Sequence, residues 1–212
     1  DAIINEEKKK LVELELTLNE LSKKISKQRK KVIPVLKSQM EKLLKDMGMV
    51  NTSFKIELYD SDIFLNKGKN KLLFNFSANK GGLIGPLSKT ASGGELSRIM
   101  LALKSILSNY KNLPTIIFDE IDTGVSGEIA NCIGRIMKSM SINMQVISIT
   151  HLPQVAAKAN NHLKVFKITR NDKTYTELKN LNFNERVSEI AEMLSGDESA
   201  VSAYELAKEL LN

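Results

Sequence analysis

The chain has 212 residues, 42% of them hydrophobic and 26% charged, with a formal net charge of +6 at pH 7. That is ordinary soluble material, enough for one sizeable domain and an appendage, and no apolar run approaches the roughly 20 residues of a membrane span. The lone Cys132 excludes an intramolecular disulfide and fits a reducing cytoplasm, while the basic balance permits a nucleic-acid partner without demanding one.

The first segment, DAIINEEKKK, lacks the apolar core of a signal peptide and an initiator Met, as expected of a piece of a longer chain. It opens a long helix. Leu11, Leu14, Leu18, Leu21 and Ile25 alternate spacings of three and four, a heptad seam that Gln28, Val32 and Val35 extend. Pro34 is expected to bend or restart the helix. Leu36, Met40, Leu43 and Met47 continue in a phase shifted by one residue, and Gly48 reads as a C-terminal stop. The seam needs a partner helix, and no second long heptad segment exists, so the partner is expected outside the chain or in another copy. The lysines from Lys23 to Lys31 read either as a solvated coiled-coil face or as a DNA contact.

After Gly48 the period drops to two. Phe54, Ile56 and Leu58 alternate in one segment, and Leu72, Phe74 and Phe76 in the next, with a turn at NKGKN between them. They are expected to form an antiparallel pair with one buried face. A loop, KGGLIGPLSK, leads to TASGGELSRIM and a helix from Gly94, with Leu96, Ile99, Met100, Leu103, Ile106 and Leu107 in helical period. TIIFDE is a short apolar strand. Ser126 begins a second helix, carrying Ile129, Ile133, Ile136, Met137 and Met140 on one face, and QVISITH is the next strand. Strand, helix and strand at this length make a parallel crossover. Pro153 opens a short helix. HLKVFKIT and TYTELKNL, joined at RNDK, read as a hairpin. Two helices close the chain, from about Asn184 to Leu194 and from about Glu198 to Leu211, separated by Gly196.

Ligands of open parallel sheets bind beyond the carboxyl ends of the strands. One apolar strand here ends in Asp119 and Glu120, the other in Thr150 and His151. An aspartate there can hold Mg²⁺ through water, a glutamate can polarise an attacking water, and a histidine can contact a terminal phosphate. Each residue alone also fits a structural role. His162 reads as structural, and two histidines with one cysteine do not make a zinc site. In ASGGE, Gly93 and Gly94 let backbone N–H groups approach a ligand, the helix dipole points outward, and Ser92 adds a hydroxyl. This suits phosphate, or it is a simple Ser/Gly helix entry. No G-x-x-x-x-G-K-[ST] occurs; GPLSKT resembles its tail, but no glycine precedes Lys89 at the required spacing.

Together LSKTASGGELSRIMLALK, TIIFDEIDTGVSGEIA and ITHLPQVAAKANNHLKVFK resemble the RecN family of bacterial DNA repair proteins, SMC-like members of the ATP-binding-cassette ATPases. The resemblance covers the whole chain. It implies an α/β fold: the C-terminal lobe of an ATPase head, a parallel sheet with flanking helices and some antiparallel strands, preceded by a coiled-coil helix. Residues 1–48 would be the arm and 49–212 the lobe. By position, Ala91–Glu95 matches the signature motif, with Ser92 and Gly94 meeting the γ-phosphate of ATP on a second protomer, and Gly93 and Glu95 in the same motif. Asp119 matches the Walker B aspartate and Mg²⁺ site, Glu120 the catalytic glutamate, Asp122 the D-loop, and His151 the switch histidine. The Walker A and glutamine loops belong to an N-terminal lobe not found in this sequence, so the chain alone is expected to be inactive. Implied partners are that lobe, a second copy in a homodimer, and DNA in double-strand break repair and recombination, in a bacterial cytoplasm at the nucleoid, with no membrane. A non-catalytic coiled-coil scaffold with an ATPase-like docking lobe is the alternative. A transporter subunit is disfavoured by the heptad segment and by Glu95, where transporters commonly carry glutamine.

Overall fold

The structure, a computed structural model, describes residues 2–110, 113–196 and 201–212. Its contacts gather into two units, Asp1–Lys45 with Met49–Ser92, and Asp46–Gly48 with Gly93–Asn212. Among the described residues no helix is long and apolar enough to cross a membrane.

Helix α1, Ala2–Asp46, is rich in the strong helix formers Leu, Lys and Glu. It runs unbroken through Pro34. The expected restart does not occur: proline removes one backbone hydrogen bond, and the rest of a 45-residue helix holds the segment. The helix ends as the sequence implies. Gly48 takes a left-handed φ of 81°, and Met49 N–H donates to Leu44 O at 2.8 Å, the closing bond of a Schellman cap. A side chain at Gly48 would also meet Ile129 Cδ1 at 2.6 Å.

In the first unit, β1 (Ser53–Leu65) and β2 (Gly68–Ser77) pair antiparallel. The register sets Phe54 against Phe76, Ile56 against Phe74 and Leu58 against Leu72, so the two alternating sets share one face. That face is buried only at one end. Phe54 and Phe76 are buried, with ring centroids 5.5 Å apart, whereas Leu72 is 60% exposed. The register slips between Asp60 and Leu65, bulging β1. A two-residue β3, Gly85–Pro86, adds to β2, and a helical turn α2, Leu87–Thr90, follows. Both lie where the sequence reads as loop.

The hairpin docks on α1 through polar groups. Lys69 N–H donates to Ser22 Oγ at 3.2 Å, and Asn70 Nδ2 donates to Ser26 Oγ at 3.1 Å. Arg29 donates to Asn70 Oδ1 at 3.2 Å and to Lys67 O at 2.6 Å. Ser22 is accordingly buried, and Arg29 is a structural lock within the basic run.

The second unit holds the crossover: α3 (Gly93–Ser108), β4 (Thr115–Asp119), α4 (Gly127–Met140) and β5 (Gln145–Ile149). β4 and β5 pair in parallel, with Asp119 opposite Ile149. Helix α5, Pro153–Ala157, carries its proline in the first turn. β6 (Leu163–Arg170) and β7 (Lys173–Asn180) form the expected hairpin, turning at Asn171 and Asp172, both left-handed. Helix α6, Phe183–Ser195, begins in a capping box of Asn182 and Glu185 and ends at left-handed Gly196. Helix α7 is Val201–Leu211; the expected start near Glu198 lies outside the described residues. Ala156, Ala157, Val187, Ile190, Ala191, Ala203 and Ala207 form one buried cluster joining α5, α6 and α7.

Candidate active site

Parallel pairing puts the ends of β4 and β5 side by side, and the polar residues just past them share one edge. Asp119, Glu120 and His151 are all exposed there. Glu120 N–H donates to Ile149 O at 3.1 Å, extending the ladder one residue beyond the strand. The backbone of Glu120 then turns left-handed, with φ 45°. For a residue with a Cβ this costs about 1–2 kcal/mol, and it persists only where the surroundings hold it.

Here the surroundings do. Thr123 donates to Glu120 O twice, from its N–H at 3.3 Å and from Oγ1 at 2.8 Å. Asp122 folds inward to 1% exposure. Its Oδ2 accepts from the Thr150 hydroxyl, while Oδ1 is buried with no hydrogen-bond partner among the described residues. Asp122 is therefore the buried anchor of the loop.

The N-terminus of α3 reaches the same loop. A Cβ at Gly94 would lie 3.7 Å from Thr123 O, and at Gly93 it would meet nothing within 4 Å. Neither glycine has a positive φ. Backbone conformation and packing thus leave both positions free to be larger residues. At Gly93 the lack of a side chain leaves the backbone open to close approach. Ser92 and Gly93 are exposed, and Gly94 and Glu95 half-buried. Ser92 is the last residue of the first unit and Gly93 the first of this stretch of the second.

No group of three or more His, Cys, Asp or Glu able to hold a metal occurs among the described residues. A lone strand-end carboxylate, Asp119, fits Mg²⁺, which binds through one or two carboxylates plus phosphate and water. His162 directly precedes β6, where its backbone O accepts from Leu181 N–H at 2.9 Å. Burial lowers its pKa, aided by the nearby charges of Arg186 and Lys164. The first unit holds a groove of about 850 Å³ lined by Lys23, Lys27, Lys30, Lys31 and Lys69 with Asp60 and Asp62.

No family model matches the chain. DNA repair protein RecN of Halalkalibacterium halodurans is 38% identical over 216 residues, covering 100% of this chain and 38% of that protein. DNA repair protein RecN of Bacillus subtilis is 48% identical over 145 residues, covering 68% of this chain and 25% of that protein. The chain belongs to the RecN family. It spans 38% of the length of the first of these RecN proteins. The Smc head domain with a coiled coil and joint from Pyrococcus yayanosii matches with a TM-score of 0.63 at 19% identity, over 84% of this chain and 32% of that one. At that identity the likeness concerns the fold, which is that of an SMC-type head: a long helix, a parallel sheet and antiparallel strands.

Proposed function

We propose that this RecN-family chain is the end of a coiled-coil arm, residues 1–48, and the C-terminal lobe of an ATPase head, residues 49–212, in a protein acting on DNA double-strand breaks. The observation that carries the reading is the shared edge: Glu120 and His151 follow paired parallel strands, with Gly94 at the start of α3 beside the same loop. Glu120 accepts a proton from the attacking water. His151 donates to the terminal phosphate. The N–H groups of Gly93 and Gly94, with the Ser92 hydroxyl, take the γ-phosphate of ATP held by a second copy. Asp119 would hold Mg²⁺, which when bound would neutralise charge on the phosphates. Asp122 keeps the loop in place between the two sites.

Partners follow from what is left uncovered. Ile117, Ile147 and Ile149 are 62%, 41% and 54% exposed and share one face of the β4–β5 pair. That face suits the N-terminal lobe that would supply the Walker A loop. The exposed seam of α1 suits an opposing arm helix. The lysine groove suits a phosphodiester backbone.

ATP turnover tests the reading. The chain alone is expected to release no phosphate. In the complete protein, Glu120→Gln is expected to slow hydrolysis about 100-fold or more, the lower range for losing a general base, with ATP binding kept. Near-normal turnover in that variant removes Glu120 from the chemistry and leaves the scaffold reading standing.

A further inference from the structure

We propose that Thr150 is a positioning residue for hydrolysis, clasping the loop that carries Glu120 to the strand end that carries His151; this rests on the catalytic reading of the edge. The hydroxyl has one proton to give. Leu152 N–H donates to Thr150 Oγ1 at 2.9 Å, and the hydroxyl in turn donates to Asp122 Oδ2. Among the described residues this is the one donor to a carboxylate that is 1% exposed and whose Oδ1 has no partner. A buried carboxylate stripped of its only donor is costly enough that the loop must rearrange to reach water.

Two links run in parallel between the loop and β5. One is Glu120 N–H to Ile149 O at 3.1 Å, and the other is Thr150 to Asp122. Glu120 lies between them in a left-handed conformation, φ 45°. Strain of this kind is kept by surrounding contacts. Releasing the second link lets the backbone at Glu120 relax, which turns its carboxylate away from the reacting water. The Asp122 anchor and the His151 strand would then no longer move together. Thr150 touches no reacting atom in this scheme; it sets where Glu120 points.

The test uses the complete protein and compares Thr150→Val, which keeps the shape and deletes the hydroxyl, with Thr150→Ser, which keeps the hydroxyl. Thr150→Val is expected to lower kcat about tenfold or more, with ATP affinity changed by no more than about twofold, as for losing a hydrogen bond to a charged group that acts after binding. Thr150→Ser is expected to stay within about threefold of the parent in kcat. Adding Glu120→Gln to Thr150→Val should cost nothing further beyond Glu120→Gln alone, because both act through one carboxylate. Parent-like turnover in Thr150→Val overturns the clasp, as does equal impairment in Thr150→Ser, or joint loss of ATP binding and turnover. If Glu120→Gln itself leaves turnover intact, the catalytic reading fails. If Glu120→Gln is slow and Thr150→Val is not, only the clasp fails.

Discussion

Helices α4 and α1 carry the same kind of apolar stripe with opposite outcomes. In α4, Ile133, Ile136, Met137 and Met140 are 0%, 9%, 6% and 2% exposed. In α1, Leu11, Leu14, Leu18 and Leu21 are 57%, 63%, 45% and 49% exposed. Midway along α1 the packed side is polar, where Ser22, Ser26 and Arg29 meet the hairpin, and only near its end are apolar Met40 and Leu44 buried. Helical periodicity thus reports that a face wants a partner, not that the chain supplies one. The α4 stripe is buried; the α1 seam from Leu11 to Val35 is not covered by the described residues. At about 1.5–3 kcal/mol for each fully buried leucine, such a seam is a large incentive for association.

The largest effect separating the two stripes is on stability. Ile133→Ala in α4 should destabilise the chain by about 2–5 kcal/mol through the cavity it leaves. Leu14→Ala in α1 should change it by less than about 0.5 kcal/mol, as for a surface position. Denaturant unfolding of both variants measures this, and equal losses would mean that the α1 seam is covered after all.

A smaller effect distinguishes the basic side of α1 from its apolar seam. Replacing Lys27, Lys30 and Lys31 by glutamine should leave stability unchanged and lower the salt dependence of DNA binding by about two to three counterions. Arg29 is kept, because it holds Asn70 and Lys67 and its loss would confuse docking with binding. An unchanged slope across a salt series makes these lysines a solvated helix face.

The smallest effect lies in the second unit and concerns pH. Burial, then the charges of Arg186 and Lys164, depress the His162 pKa below its ordinary value. The imidazole therefore charges more readily in the unfolded chain. Its contribution is complete above about pH 6.5 and is lost as pH falls through the folded pKa. His162→Gln should flatten the acid side of a Tm-against-pH curve; an unaltered curve would assign that slope to other groups.

Periodicity made most elements legible. The heptads, the alternating Phe54 and Phe76 sets and the crossover all follow from spacing, and the edge of Asp119, Glu120 and His151 follows from where the strands end. What stayed hidden depends on contacts distant in sequence or on backbone alone. The Arg29–Asn70 pair is 41 residues apart, and Thr150 lies 28 from Asp122. No residue type marks a left-handed Glu120. β3 and α2, two and four residues long, are too short to show a period.

Mixing two inactive complete proteins tests the proposal that ASGGE acts on nucleotide held by another copy. Ser92→Arg should bind ATP and fail to hydrolyse it, because the bulky cation displaces the hydroxyl. Glu120→Gln should bind ATP and fail for want of the base. In a mixed dimer one site pairs a normal Glu120 with a normal Ser92, while the other carries both changes. Phosphate release by the mixture, well above the sum of the two variants alone, is the expected result. Full activity in Ser92→Arg by itself, or no recovery when mixed dimers are shown to form, would contradict independent sites completed in trans.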